Sequence, residues 1–339
     1  MAATLCTLLA HSSASSLSVS PKLCSRINTH LQIYRGLPFS PLAPDFRLRV
    51  PPTRGLFAVS CFKNVSDEKP LKKESGLNWQ ILKQWDVPWN WQTISLTSLA
   101  CGLSFVLTGL IEAVTIPFSG IKIEELSLDE KAEILFVDQA IATAVVLGVL
   151  FSLTKSYSPL PDEIYRYDLK EPFNLKKGWL LWAGIGLGGA IATVALTGVA
   201  ISFFSGETPP RETDALIRLL PLIGSSTIST ACLVGITGIL APILEETVFR
   251  GFFMVSLTKW VPTPLAVLIS ASVFAVAHLT PGEFPQLFVL GTALGFSYAQ
   301  TRNLLTPITI HAFWNSGVIL FLTFLQLQGY NIKELLQSY

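Results

Sequence analysis

Three charged side chains fall within six residues of an apolar run: Glu245, Glu246 and Arg250, in the stretch LAPILEETVFRGFF over 240–253. The 26 residues before Glu245 carry no Asp, Glu, Lys or Arg. A charge at the centre of a bilayer costs roughly 2.5–3.5 kcal/mol on insertion scales, so ionisable groups there pair with one another or serve a function. Further on, His278 lies in SVFAVAHL and His311 in ITIHAFWN, with Asn315 four positions after His311. Of the four His, His11 and His30 lie near the N-terminus, which leaves His278 and His311 for everything else. Residues four apart share a helix face, so Glu246 stands beside Arg250 and His311 beside Asn315. Glu245 is turned about 100° from Glu246, and the two carboxylates can reach different partners.

A carboxylate withdrawn from water takes up a proton more readily, which suits a general base near neutral pH. A neighbouring His can share and orient the attacking water, and an Asn amide with a second His can donate to a developing oxyanion. That set suffices for attack of water on an amide. The same Glu and His side chains can also hold a divalent metal such as Zn²⁺, so metal-free and metal-assisted activation both stay open. Nucleophilic routes have less behind them: GxSxG and HExxH are both missing. The bland alternative is structural, with Glu246 and Arg250 as a plain ion pair and Asn315 as interhelical glue. It requires the polar groups to be independent, yet all of them fall within the last 100 residues.

Such groups need apolar helices to hold them. The 339 residues are 50% hydrophobic and only 14% charged, against about 25% charged in soluble domains, and mean hydropathy is +0.51. This predicts an all-α polytopic membrane protein, a helical bundle enclosing a polar cavity. A net charge of +1 gives no reason to expect nucleic acid as a partner. Five Cys without CxxC or paired spacing make neither a disulfide framework nor a thiolate metal site. Residues 1–60 are acid-poor, Ser-rich and Arg-containing, the composition of an organellar transit peptide, here of plastid type. Residues 61–92 become Trp-rich (Trp79, Trp85, Trp89, Trp91), which predicts an interfacial segment at headgroup level.

Runs free of charge, apart from Asp138 near the start of the second, predict about seven spans, between six and eight: 87–111, 134–154, 178–206, 219–244, 262–280, 284–301 and 303–326. The first three fall in an N-terminal helical region, 93–218; the last four fall in 219–326 with every residue singled out above, and 327–339 is a tail. GIGLGGAIATVALTG in the third run offers small residues for close helix packing. With seven spans, the side holding the segment before the first span, 155–177, 247–261 and Arg302 carries 13 Lys and Arg, against 5 on the other. The positive-inside bias puts the first side on the stroma in a plastid. Glu112 and Asp138 stand alone, with no broken-helix repeat, which argues against a transporter.

Glu245-Glu246-x-x-x-Arg250, Phe274-x-x-x-His278 and His311-x-x-x-Asn315, in that order and with FRG after the Glu pair, resemble the three-motif signature of the CAAX protease and bacteriocin-processing family. The resemblance covers about 220–325. It implies a membrane helical bundle with an enclosed cavity, and an intramembrane endopeptidase acting on a peptide or membrane-protein substrate within the lipid bilayer. By the same resemblance Glu245 activates the hydrolytic water, His278 positions it, and His311 with Asn315 stabilises the oxyanion. Glu246 and Arg250 brace the site and can engage substrate. The resemblance implies no certain cofactor; a divalent metal such as Zn remains the one candidate. A catalytically silent membrane scaffold is the alternative from another functional class. The expected location is a chloroplast membrane, thylakoid or inner envelope.

Overall fold

The computed structural model describes residues 79–204, 219 and 221–330. The expected transit peptide, residues 61–78, the loop from 205 and the tail from 331 lie outside the described residues. Seven helical units follow one another: α1 Trp91–Phe118, α2 Leu128–Thr154, α3 Trp179–Phe204, α4 Thr227–Leu257, α5 Thr263–Ala277, α6 Phe284–Thr301 and α7 Leu305–Leu327. The described residues contain no strand.

Each of the seven apolar runs is helical, and α1, α2, α3, α4 and α7 are long and apolar enough to cross a membrane. The chain is a multi-pass membrane protein. α5 is apolar but has 15 residues, about 22 Å at 1.5 Å per residue, short of a hydrocarbon core of about 30 Å. The large apolar side chains of α1 point outward, Leu96, Leu103, Leu110 and Val114 among them. Water would not tolerate such a belt, whereas lipid does.

Charge counting makes some helices too short. The acidic stretch expected as a loop over Glu112–Glu133 is largely helical, because α1 runs on to Phe118 and α2 starts at Leu128. Ser127 caps α2: its hydroxyl accepts from Glu130 N while the Glu130 carboxylate accepts from Ser127 N. Acidic side chains in a first turn suit the positive end of the helix dipole, so charge there begins a helix instead of excluding one. α4 likewise passes straight through Glu245, Glu246 and Arg250 to Leu257.

The four segments expected on one side of the membrane do gather at one end of the bundle. Lys259 Nζ donates to Val87 O (3.1 Å) and Trp89 O (2.6 Å), and Thr263 Oγ1 to Lys83 O (3.0 Å). Arg302, fully buried with φ +53°, stacks over the Trp85 ring at 3.9 Å and pairs with Glu163. Its place is fixed by charge, cation–π contact and a bond to Lys83 O, which offset the left-handed backbone. The tryptophans expected at headgroup level divide. Trp79 and Trp91 are exposed, but Trp85 and Trp89 are buried, and Trp89 Nε1 donates to Ser256 Oγ at 2.7 Å. Residues 83–90 are therefore a strap sealed against α4, α5 and α6.

Small residues of α3 pack only in part. Ala183, Gly186 and Ala190 face α6 and α7, where a Cβ on Gly186 would meet the Ile310 side chain at 2.5 Å. Gly184, Gly188, Gly189 and Gly198 meet nothing within 4 Å.

Candidate active site

Pro242 shapes the helix that carries both carboxylates. Proline has no N–H and its ring crowds the carbonyl one turn earlier, so a regular α-helix cannot continue through it unaltered. α4 widens to a π-helix over Ile236–Leu240, returns to α-helix over Ala241–Glu246, and widens again over Thr247–Met254. In the first π-helical stretch Ala241 N–H bonds Ile236 O, which makes Pro242 the residue that would have served Thr237 O. Thr237 O accepts instead from Asn315 Nδ2 at 2.9 Å. The proline thus frees a carbonyl that ties α7 to α4 beside the carboxylates. Widened turns of this kind recur at functional sites.

Glu246 and Arg250 form the expected pair, Arg250 Nη1 donating to Glu246 Oε1 at 2.8 Å, with both side chains 0% exposed. Arg250 Nη2 donates to Gly291 O at 3.1 Å, and its guanidinium lies 4.4 Å from the centre of the Phe274 ring. A Cβ on Gly291 would stand 3.2 Å from both Ala271 and Arg250 Nη2, so this close approach uses a glycine. Glu246 Oε1 also accepts from His311 Nδ1 at 2.8 Å. Glu246 and Arg250 are sealed from the cavity in this conformation, which leaves them no contact with a substrate there. Their geometry is that of a buried, mutually bonded pair.

Glu245 faces the other way, as its 100° turn predicts. Its Oε2 lies 3.9 Å from His278 Nε2 and 3.9 Å from His311 Nε2, and it makes no hydrogen bond although buried. His278 Nδ1 sits 2.7 Å from Phe274 O, an atom that only accepts, so Nδ1 carries the proton. His311 Nδ1 faces a carboxylate by the same logic. Both imidazoles, when neutral, therefore present the Nε2 lone pair to Glu245. Phe274 packs between them, its ring centre 4.6 Å from that of His278 and 5.9 Å from that of His311.

A cavity of about 310 Å³ opens beside these groups, lined by Glu245, His278, His311, Asn315, Trp314 and Leu287 among others. Four of the six singled-out residues thus share one wall, and the remaining two stand behind it. Thr237 and Gly291 escaped notice in the sequence because each acts through a backbone oxygen, and Phe274, noted one turn before His278, acts through its carbonyl as well as its ring. Pro242 beside the Glu pair was the available signal for the first. The spacing of Gly291 and Gly295, four apart, was the signal for the second.

A separation of 3.9 Å is too long for a direct hydrogen bond and suits two groups that share one water molecule. The donor types, two imidazole Nε2 atoms and a carboxylate, also suit zinc, and each imidazole has its other nitrogen tied down as metal-bound His usually do. Ligand atoms on one tetrahedral zinc stand about 3.4 Å apart, so the observed spacing is wider than that set requires. Among the described residues no group of three or more His, Cys, Asp or Glu lies close enough together to hold a metal ion.

Residues 227–317 match the family model described as type II CAAX prenyl endopeptidase Rce1-like. Over 164 residues the chain is 26% identical to the membrane-embedded CAAX protease MroQ of Staphylococcus aureus (strain USA300), covering 45% of this chain and 61% of that protein. Over 162 residues it is 26% identical to YdiL of Bacillus subtilis (strain 168), a candidate membrane peptidase, covering 48% of this chain and 62% of that one. The chain spans about three fifths of the length of these curated relatives. No solved structure matches.

Proposed function

We propose that the chain is a member of the CAAX protease family, whose model residues 227–317 match, and that it is an intramembrane endopeptidase in which Glu245 activates water against a peptide bond. The observation that carries this reading is the meeting of Glu245 Oε2 with both His Nε2 atoms, 3.9 Å from each, on the cavity wall. Glu246 spends its Oε1 on Arg250 and His311, whereas Glu245 Oε2, on the cavity side, makes no hydrogen bond among the described residues.

In this mechanism a water lies between Glu245 and His278. Glu245 takes its proton as the oxygen attacks the carbonyl carbon, while the His278 lone pair accepts its second hydrogen and fixes its direction. The carbonyl oxygen becomes an oxyanion facing α7. Asn315 Nδ2 commits one hydrogen to Thr237 O and keeps the other for that oxyanion. His311 can donate from Nε2 only as an imidazolium, and the Glu246 carboxylate at its Nδ1 is placed to compensate that charge. Glu245 then returns its proton to the leaving amine. Glu246 and Arg250 hold His311 in register.

The substrate in this reading is a peptide or a membrane-protein segment, and the location is a chloroplast membrane, on the composition of residues 1–60. The spacing of Glu245, His278 and His311 is wider than one metal ion requires, and no step above runs through a metal. Purified protein in detergent, offered peptide and membrane-protein substrates, tests the whole. Cleavage by wild type that Glu245→Gln lacks supports the enzyme; equal cleavage by both sinks it. Loss of cleavage on chelation, restored by Zn²⁺, assigns the metal form, and full activity in metal-free protein removes it. A fluorescent fusion of residues 1–65 that stays in the cytosol ends the chloroplast assignment.

A further inference from the structure

Another cavity, of about 1120 Å³, lies at the end of the bundle where residues 79–81, ahead of the strap, and the α2–α3 connection meet, and it takes no part in the chemistry above. Its lining includes Trp79 and Trp182 and four cationic side chains: Arg166, Lys170, Lys176 and Lys177. The two carboxylates on the same wall are already engaged. Asp168 takes a 2.5 Å bond from Arg166 and one from Lys170 N, and Glu171 accepts from Asn174 Nδ2 at 2.9 Å. Among the described residues no carboxylate comes within ion-pairing distance of Lys170, Lys176 or Lys177 Nζ. Three ammonium groups therefore line one cavity with no carboxylate in contact, and only the longer-range fields of Glu163 at Lys177 and of Asp168 at Lys170 reach them.

The same connection carries apolar side chains that no described residue covers. Leu169 is 71% exposed, Phe173 68% and Leu175 82%, and they alternate with these lysines along DLKEPFNLKK. The backbone that presents them is braced: Trp179 Nε1 donates to Leu169 O, Trp182 Nε1 to Leu175 O, and Gln300 Nε2 to Lys176 O. Since the connection joins two membrane spans, it meets the bilayer surface directly. Apolar side chains there enter the acyl boundary while lysine stems carry their charges back to headgroup level. A braced apolar edge beside a ring of unpaired cations and two indoles matches the two ends of one molecule.

We propose that this cavity binds the headgroup of an anionic phospholipid, with Lys170, Lys176 and Lys177 on the phosphate and with Leu169, Phe173 and Leu175 in the acyl boundary beside it. The site is independent of the peptidase reading, because none of its residues lines the other cavity.

Full-length protein in zwitterionic detergent micelles, titrated with acyl-brominated phosphatidylglycerol or phosphatidylcholine, reports occupancy as quenching of Trp79 and Trp182. Wild type should favour phosphatidylglycerol, and the K170Q/K176Q/K177Q variant should lose on the order of 100-fold of that preference, since each lysine near an anionic surface contributes about a five-fold factor. K170R/K176R/K177R should keep it, which separates charge from folding, and W79F/W182F should remove most of the quenching difference. Salt should weaken the preference. Equal quenching by the two lipids, or a preference unchanged in the Gln variant, would overturn the proposal. So would competition by millimolar inorganic phosphate alone, which would reassign the cavity to a free anion.

Discussion

Removing the guanidinium in Arg250→Met leaves Glu246 as a carboxylate with 0% exposure and no cation within reach on its own helix. Three contacts disappear together: the 2.8 Å bond to Glu246, the 3.1 Å bond to Gly291 O and the stacking over Phe274 at 4.4 Å. Breaking one partner of a buried pair costs about 3–5 kcal/mol, because the other charge stays behind uncompensated. At roughly 2–4 °C per kcal/mol for a domain of this size, the thermal midpoint should fall by about 6–20 °C. Glu246→Gln should cost a similar amount by stranding Arg250. The double variant Glu246→Gln with Arg250→Met strands no charge, and should recover half or more of the loss. The assay is thermal unfolding in one detergent at one scan rate, with all four proteins forming a cycle. A single-variant shift below about 2 °C would show that water reaches the pair. A double-variant loss equal to the sum of the singles would show that the two side chains do not interact. Either result refutes the brace.

Three further expectations follow from the packing. Gly291→Ala forces a Cβ to within 3.2 Å of Ala271 and Arg250 Nη2; thermal unfolding should show a loss of about 1–3 kcal/mol, and no loss would mean that α6 shifts freely. Trp89→Phe removes the bond to Ser256 in a buried setting and should cost about 1–3 kcal/mol, whereas Trp79→Phe at an exposed site should change stability by less than about 0.5 kcal/mol. Burial pushes the Glu163 carboxyl up, but the Arg302 guanidinium, and Lys83 after it, outweigh that and hold it below the usual carboxylate range. Its folded value lies below its unfolded one, so its contribution is present above about pH 4.3 and is lost as pH falls through the folded value. Wild type should therefore lose thermal stability below that pH, and Glu163→Gln should lack that part of the acid sensitivity.

The polar half of the site was legible because charge and imidazole are rare in apolar helices. Five positions drew attention on that ground and Asn315 by standing one turn after His311, and the helix period already set Glu246 toward Arg250 and turned Glu245 elsewhere. The seven apolar runs were legible for the same reason, as was the sidedness of the loops, since Lys259 and Arg302 do meet the strap at one end. Counting charges failed where charge is satisfied locally. Glu130 belongs to a helix cap, and Glu246 is neutralised within its own helix, so α2 starts sooner and α4 ends later than their charge-free runs. The strap was misjudged because Trp85 and Trp89 are as compatible with headgroups as with a core; only the Ser256 hydroxyl and the Arg302 guanidinium, far away in sequence, decide between them. Backbone acceptors such as Thr237 O and Gly291 O belong to no residue type, so composition and spacing do not reveal them.

The division of the two carboxylates, Glu246 for the brace and Glu245 for the chemistry, is tested most directly by turnover of a membrane-protein substrate by Glu245→Gln protein whose thermal midpoint matches wild type. A positioned general base contributes about 10²–10⁴-fold, and the variant should cleave slower by that factor while staying folded. Cleavage by folded Glu245→Gln within about three-fold of wild type, well short of that range, would contradict the account.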